Sequence, residues 1–374
     1  MLKVGIVGCG KIADEHAEQI LLIPGCEIVG VCDREELMAR QLQERLNVGE
    51  CFTEVLDLLD KAKPDVIHIT TPPQSHYALG ELCLEAGCHV YVEKPFTVNA
   101  ADAEALIRLA EHKDLKITVG HDAQFSHSAI QMRRLVEEGY LGGPPVHIES
   151  YHCYDLSDIN YAKAVLGDSN HWVRKLPGGL LQNNISHGIS KVAEFLTGDS
   201  PEVLAYGFVS PLMRSIGETS IVDELRVIIH DEVTTAYYTF SSQMRPSLHQ
   251  LRLYGPKNGL VLDDDQQTVI RVSGSRYKSY LEQFVAPWDY AKQYVVNSLG
   301  NVWKFIRADF QANYRKKVLI QMFYRSITEG EPVPIPYHEI LRTSRIMDEI
   351  FSKLSSAQNA TRAGHSRNLP VERS

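Results

Sequence analysis

Along the first third of the chain, short apolar runs alternate with stretches that place apolar residues at helical spacing. Val4–Gly8, Glu27–Cys32, Val66–Thr70, His89–Val92 and Lys116–Val119 read as strands. Between them, Ile12–Leu22, Arg34–Leu46, Ser75–Ala86 and Ala100–His112 read as helices. Buried strands separated by helices pair in parallel through right-handed crossovers. This pattern predicts a doubly wound α/β sheet over residues 1–124. The pattern then changes. A helix over Ser128–Gly139 is followed by a strand over Val146–Tyr154 and a helix over Ser186–Leu196. Strand patterns then succeed one another at Val203–Val209, Leu225–His230, Thr234–Phe240, Leu248–Tyr254, Gly259–Leu262 and Thr268–Val272. Strands with short connections imply an antiparallel or mixed sheet. Helical patterns cover Tyr290–Thr328 and, after the proline-rich Pro332–Pro336, Glu339–Leu354. The expected second domain is 125–355, and the polar stretch 356–374 reads as a disordered tail.

Composition narrows the function classes. The chain of 374 residues carries a formal net charge of −9, a poor basis for neutralising nucleic-acid phosphates. Arg315-Lys316-Lys317 is the one short basic cluster singled out, and its helical pattern suggests a solvated face. The seven cysteines include no CxxC pair, and Cys32 and Cys153 fall within predicted strands. They imply small apolar residues in a reducing compartment, with no metal site expected. Structured sequence begins within the first ten residues and no apolar run is long enough to span a bilayer, so the expectation is a cytoplasmic protein without a secretory leader.

One motif carries specific chemistry. Gly8-Cys9-Gly10-Lys11-Ile12-Ala13 ends the first predicted strand and opens a helix, the GxGxxA form of a dinucleotide-binding turn. The first glycine permits the turn, the second lets the backbone approach a pyrophosphate, and the small third residue lets helix and strand pack. The helix N-terminus offers N–H groups and partial positive charge to phosphates. Asp33, at the end of the second strand, is placed to bond a ribose 2′-hydroxyl and repel a 2′-phosphate. That predicts NAD over NADP, although Arg34 could stack on adenine or accept a phosphate.

Further motifs follow in order: His16, Thr71-Pro72-Pro73 with His76, Glu93-Lys94-Pro95, and His187 after Gly178-Gly179. Together with the glycine turn they resemble the Gfo/Idh/MocA oxidoreductase family over about residues 1–355. The resemblance implies an N-terminal Rossmann domain and a C-terminal α+β domain with a large, mostly antiparallel open sheet. It implies NAD as cofactor and hydride transfer at a hydroxyl carbon of a sugar, cyclitol or sugar nucleotide. It also implies a homodimer or homotetramer built through the second sheet, with no nucleic-acid or membrane partner. Lys94 would contact the reacting oxygen, and Glu93 would lie near the nicotinamide ribose. Thr71, Pro72, His16 and His76 would line the cofactor groove.

The second half of the site departs from the family pattern. Where the family carries Asp-x-Gly-x-His, this chain has Asn183-Asn184-Ile185-Ser186-His187. An amide cannot take a proton at neutral pH, so acid/base work falls to His187 and Asn183 would orient a hydroxyl. Asp122-Ala123-Gln124 replaces a common Asn-Arg-Arg, which weakens the inference of a charged substrate. Tyr154, His171, Trp172 and Asn184 are candidate sugar contacts or ordinary packing residues. Two other functions stay open: an NAD-dependent glycoside hydrolase or lyase working by transient oxidation and elimination, and a non-catalytic NAD sensor. Within 288–314, Val295, Leu299, Val302, Ile306 and Phe310 share one helical face. This face either packs on its own domain or forms a lid or subunit contact.

Overall fold

The structure is a computed structural model and describes residues 1–155, 172–215, 217–274, 279–307, 310 and 313–367. Strands β1 (Leu2–Val7), β2 (Cys26–Cys32), β3 (Glu50–Phe52), β4 (Val66–Ile69), β5 (His89–Val92) and β6 (Ile117–Val119) form one parallel sheet in the order β3-β2-β1-β4-β5-β6. The order reverses beside β1, and in such sheets ligands bind beyond the strands' C-terminal ends at that crevice. Val4, Ile6, Val66, Ile67, Ile69, Val90 and Val92 are fully buried, as a sheet covered on both faces requires. β3 is absent from the sequence reading because its three residues, Glu50-Cys51-Phe52, are too short to show a period.

Seven strands form the second sheet, in the order β13-β12-β11-β7-β10-β9-β8. They are β7 (His147–Asp155), β8 (Glu202–Phe208), β9 (Glu224–His230), β10 (Thr235–Ser241), β11 (Gln243–Tyr254), β12 (Asn258–Asp263) and β13 (Thr268–Ser273). β7 pairs in parallel with β10 and antiparallel with β11, and the remaining pairs are antiparallel. Leu225, Val227 and Ile229 alternate inward along β9 while Ile228 is exposed. The helices His127–Glu137, Ser186–Ala193 and Tyr337–Arg367 contribute to the core on the inward face.

The expected helical region 290–328 is instead two helices, Ser279–Ile306 and Tyr314–Thr328. The second returns to the parallel sheet. Leu319, Ile320, Phe323 and Tyr324 join the first core, so that core is not drawn from the N-terminal third alone. The last helix runs to Arg367, past the expected end at Leu354. The expected tail beginning at residue 356 overlaps the last turns of this helix. Ala357, Ala360 and Ala363 are strong helix formers, and no proline interrupts the stretch.

Candidate active site

The glycine turn sits at the C-terminal end of β1. Gly8 has φ +95°, and a Cβ there would meet the Thr71 backbone nitrogen at 2.8 Å. Only glycine satisfies both the dihedral and the close approach. A Cβ on Gly10 would meet nothing within 4 Å. Gly10 caps the helix Lys11–Leu21 with no side-chain hydrogen bond. The turn thus presents open space to a helix N-terminus, a cradle that fits a pyrophosphate. Ala13 is buried, Ile12 half-buried and Lys11 exposed. Asp33 Oδ2 accepts from the Cys9 N–H at 2.7 Å and Oδ1 from the Glu35 N–H at 3.0 Å. Its carboxylate is therefore fixed beside the turn, with lone pairs left for ribose hydroxyls. Arg34 and Pro72 are exposed, and Thr71 accepts from the Ser75 hydroxyl at 2.7 Å.

Three residues expected around the groove lie inside the fold. His76 is fully buried, its ring bridging the Pro95 carbonyl at 2.9 Å and the Thr71 carbonyl at 2.8 Å. It ties the turn after β4 to the turn that carries Lys94, a strut where a groove-lining residue was expected. His16 is likewise buried, with Nε2 at 2.7 Å from Glu93 and Nδ1 at 2.8 Å from His68. Glu93 turns inward to this pair and to Lys316, 3.6 Å away. Burial opposes its ionisation, but the His16 hydrogen bond and the Lys316 charge prevail and hold the carboxyl far below its ordinary range. Lys316, expected on a solvated face, is buried and also bonds Glu15 at 2.9 Å. The helix Tyr314–Thr328 packs on the helix Lys11–Leu21 and points this cation at two carboxylates, which offset its desolvation.

Lys94 follows β5 in a cis Lys94–Pro95 turn. Its Nζ donates to the Asn183 carbonyl at 3.1 Å and lies 3.3 Å from Asn183 Oδ1. It therefore reaches from the parallel sheet to the helix Gly179–Asn184. Gln182 Nε2 crosses in the opposite direction, donating to the Val98 carbonyl at 2.9 Å. Burial lowers the Lys94 ammonium from its ordinary value and Lys316 adds to the drop, with Glu93 and Asp122 opposing.

His187 lies in the first turn of the helix Ser186–Ala193, with Nδ1 3.9 Å from Asp122 Oδ1. Burial, then the Lys94 charge, then His152 and His121 hold its imidazole well below the usual histidine value, so the ring is neutral at pH 7. Among the described residues its buried Nδ1 has no hydrogen-bond partner, nor has either nitrogen of buried His121. Unpartnered buried polar atoms beside a lysine and a carboxylate mark a place where a ligand or water belongs. Asp122 is itself raised by burial, against the Arg315, Lys316 and Lys94 charges. The sequence signal for Asp122 was available: it follows β6, the next strand end after Lys94. It was read only as the loss of an arginine.

The candidate sugar contacts divide. Tyr154 meets His152 Nε2 at 2.7 Å, and His152 lies 6.1 Å from His187 between ring centroids. Asn184 is buried. His171 and the Trp172 side chain lie outside the described residues.

A parallel sheet ordered β3-β2-β1-β4-β5-β6, a glycine turn open to phosphate and an acid closing β2 define a dinucleotide-binding domain. The match of residues 2–121 to the Gfo/Idh/MocA model, described as an oxidoreductase family with an NAD-binding Rossmann fold, names it. Residues 2–121 match that family's NAD-binding domain, and the cofactor is NAD. It is 22% identical to the myo-inositol 2-dehydrogenase of Thermotoga maritima over 296 residues, 76% of this chain and 83% of the relative. It is 32% identical to the UDP-N-acetylglucosamine 3-dehydrogenase of Acidithiobacillus ferrooxidans over 149 residues, 40% of this chain and 44% of that one. The WlbA dehydrogenase from Bordetella pertussis, solved with NADH and UDP-GlcNAcA, shares the fold at TM-score 0.75 and 14% identity, covering 95% of this chain and 96% of its own. Among the described residues no helix is long and apolar enough to cross a membrane.

Proposed function

We propose that the protein transfers hydride between NAD and a secondary hydroxyl carbon of a sugar, cyclitol or sugar nucleotide. The observation that carries this reading is the convergence of Lys94, neutral His187 and Asp122 beyond the ends of β5 and β6. Gly8, Gly10, Ala13, Asp33 and Thr71 hold the cofactor, which supplies a hydride acceptor or donor when bound. Lys94 directs its ammonium at the reacting oxygen and stabilises negative charge developing there. His187, neutral at pH 7, takes the hydroxyl proton in the oxidative direction and returns it in the other. Asp122 stabilises the imidazolium so formed. Asn183 orients Lys94 through its carbonyl and its side-chain oxygen.

In this reading the carboxylate missing at position 183 is replaced from the end of β6. Asp122 supports the proton acceptor, and Asn183 leaves the lysine side of the site neutral. The nature of the two relatives supports a polyhydroxylated ring as substrate. The exposed Leu204, Tyr206, Ile228 and Tyr237 on the outer face of the second sheet support assembly of copies through that face.

Incubating the protein with NAD and a panel of inositols, hexosides and UDP-sugars tests the reading. NADH should accumulate in proportion to product for at least one of them. Cleavage of a glycosidic bond with NAD unchanged would replace the reading with transient oxidation and elimination. NAD binding without turnover on any member would replace it with sensing.

A further inference from the structure

The helix Ser279–Ile306 has its amphipathic faces reversed. Its amides turn inward and cover the edge strand β13. Gln293 accepts from the Arg271 N–H at 2.8 Å and donates to the Arg271 carbonyl at 3.1 Å. Asn297 does the same at Val269, at 3.3 and 3.2 Å, and Asn301 donates to the Gln266 carbonyl at 2.9 Å. Steps of four place these amides on one side of the helix, and they bond backbone groups that an edge strand otherwise leaves open.

The opposite side is apolar and faces outward. Phe284, Trp288, Ala291, Val295, Leu299, Val302 and Ile306 form one stripe, and its six large members are 55–78% exposed. Side chains of this size and exposure present on the order of 800 Å², about what each partner contributes to a standard stable interface.

We propose that this stripe packs antiparallel against the same helix of a second copy, about a two-fold axis at Val295. The steps along the stripe are 4, 3, 4, 4, 3 and 4, which read the same from either end. A two-fold contact needs that property, because each residue must meet its counterpart in both directions. Val295 meets itself, Ala291 meets Leu299, Trp288 meets Val302 and Phe284 meets Ile306. Two of the pairs, Ala291–Leu299 and Trp288–Val302, set a smaller residue against a larger one. Antiparallel packing also brings Glu282 of one copy toward Lys304 and Arg307 of the other, and it opposes the two helix dipoles. A lipid surface fits less well. The helix carries two acidic and two basic residues, its polar face is amide and already bonded to the chain, and the whole chain is at −9. This surface lies at the β13 edge of the sheet, away from the outer face of β8–β10, and does not depend on the catalytic reading.

Cysteine cross-linking of the full chain tests the axis. Val295→Cys, oxidised with copper–phenanthroline, should give a disulfide-linked dimer above the wild-type background. Phe284→Cys alone should not, whereas Phe284→Cys with Ile306→Cys should. Leu299→Glu should lower the light-scattering mass while thermal melting and NAD binding stay at wild-type values. The proposal is overturned if Val295→Cys cross-links no better than wild type, if Phe284→Cys alone links as well, or if Leu299→Glu leaves the mass unchanged. It is also overturned if a monomeric wild type floats with phosphatidylcholine–phosphatidylglycerol vesicles and Leu299→Glu abolishes flotation, which would assign the stripe to lipid.

Discussion

The cofactor turn and the Lys94 cluster lie at the same edge of one sheet and are built in opposite ways. The turn takes its parts from residues 8–13, with one carboxylate from Asp33, and each part acts through backbone shape or a single hydrogen bond. The cluster draws on four stretches, 93–95, 121–122, 183–187 and 315–316, which meet only when both sheets are formed. A local device tolerates change around it so long as its glycines remain. An assembled one can lose a group in one stretch and regain it from another, as Asn183 and Asp122 suggest. Damage should therefore be large and non-additive in the cluster, and smaller and separable at the turn.

The largest effects belong to Lys94→Ala and His187→Ala. Each should lower kcat by about 10²–10⁴-fold and leave NAD affinity within a few-fold of wild type. The double variant should lose far less than the product of the two, because both groups serve one transition state. Near-normal turnover in both single variants would break the assignment.

Asp122→Asn should cost about 10²-fold in kcat, and the pH profile shows why. Wild-type oxidation should be flat through neutrality and fall on the acid side, where His187 takes up a proton. That limb lies well below pH 6.5 because burial and the Lys94 charge depress the imidazole. Removing the Asp122 charge takes away a group that favours the imidazolium, so the limb should move to still lower pH. Asn183→Asp should harm the wild type, by placing a second carboxylate beside the oxygen that Lys94 stabilises. In the Asp122→Asn background it should restore part of the loss. Harm in both backgrounds would mean that the two positions are not interchangeable.

His76 tests the strut between the two regions. His76→Ala deletes a fully buried ring whose two nitrogens lie within 2.9 Å of the Thr71 and Pro95 carbonyls, one of which accepts its N–H. It should cost about 2–4 kcal/mol of stability, read as a lower urea midpoint with unchanged slope. Folded protein at low denaturant should keep NAD affinity within tenfold. A loss of NAD affinity with full stability would return His76 to the groove.

The two regions also differ in what sequence could reveal. Alternating apolar runs gave five of the six parallel strands, because buried strands need continuous apolar residues whatever their neighbours. The turn at Gly8 and Gly10 and the strand end at Asp33 were legible because such positions depend on backbone dihedrals and on where an apolar run stops. His16, His76 and Glu93 were assigned to the groove because their motifs border it, but the side chains turn inward where only packing decides. Lys316 read as surface because a lysine with no visible partner is normally solvated. Its partners Glu15 and Glu93 lie some three hundred and two hundred residues away in sequence. Asp122 was seen as a substitution and not as a neighbour of His187, since no local pattern joins β6 to a helix beyond the second sheet's first strand. The outward stripe of Ser279–Ile306 was visible as a period, but its direction depends on Gln293 and Asn297 finding the edge of β13 and Asn301 the turn before it.

The smallest predicted effect is at the turn and concerns cofactor choice. Asp33 is fixed by the Cys9 and Glu35 N–H groups, and one charge-assisted bond from its carboxylate to the ribose is worth about 1.5–3 kcal/mol. Wild type should therefore bind NAD at least about tenfold more tightly than NADP, since a 2′-phosphate would meet that carboxylate. Asp33→Ser keeps a hydroxyl acceptor near the ribose and removes the repulsion, while Arg34 stays exposed beside the site. NAD affinity should fall about tenfold and NADP affinity should rise, with Arg34 now free to pair with the added phosphate. Arg34→Ala in the Asp33→Ser background should then abolish the NADP gain and leave NAD unaffected. Calorimetric titration of both cofactors reads all three proteins. Because the turn acts separately from the cluster, kcat at saturating cofactor should stay within a few-fold of wild type in each. A large kcat loss in Asp33→Ser with cofactor saturating would show that the two regions are coupled, and the contrast between them would fail.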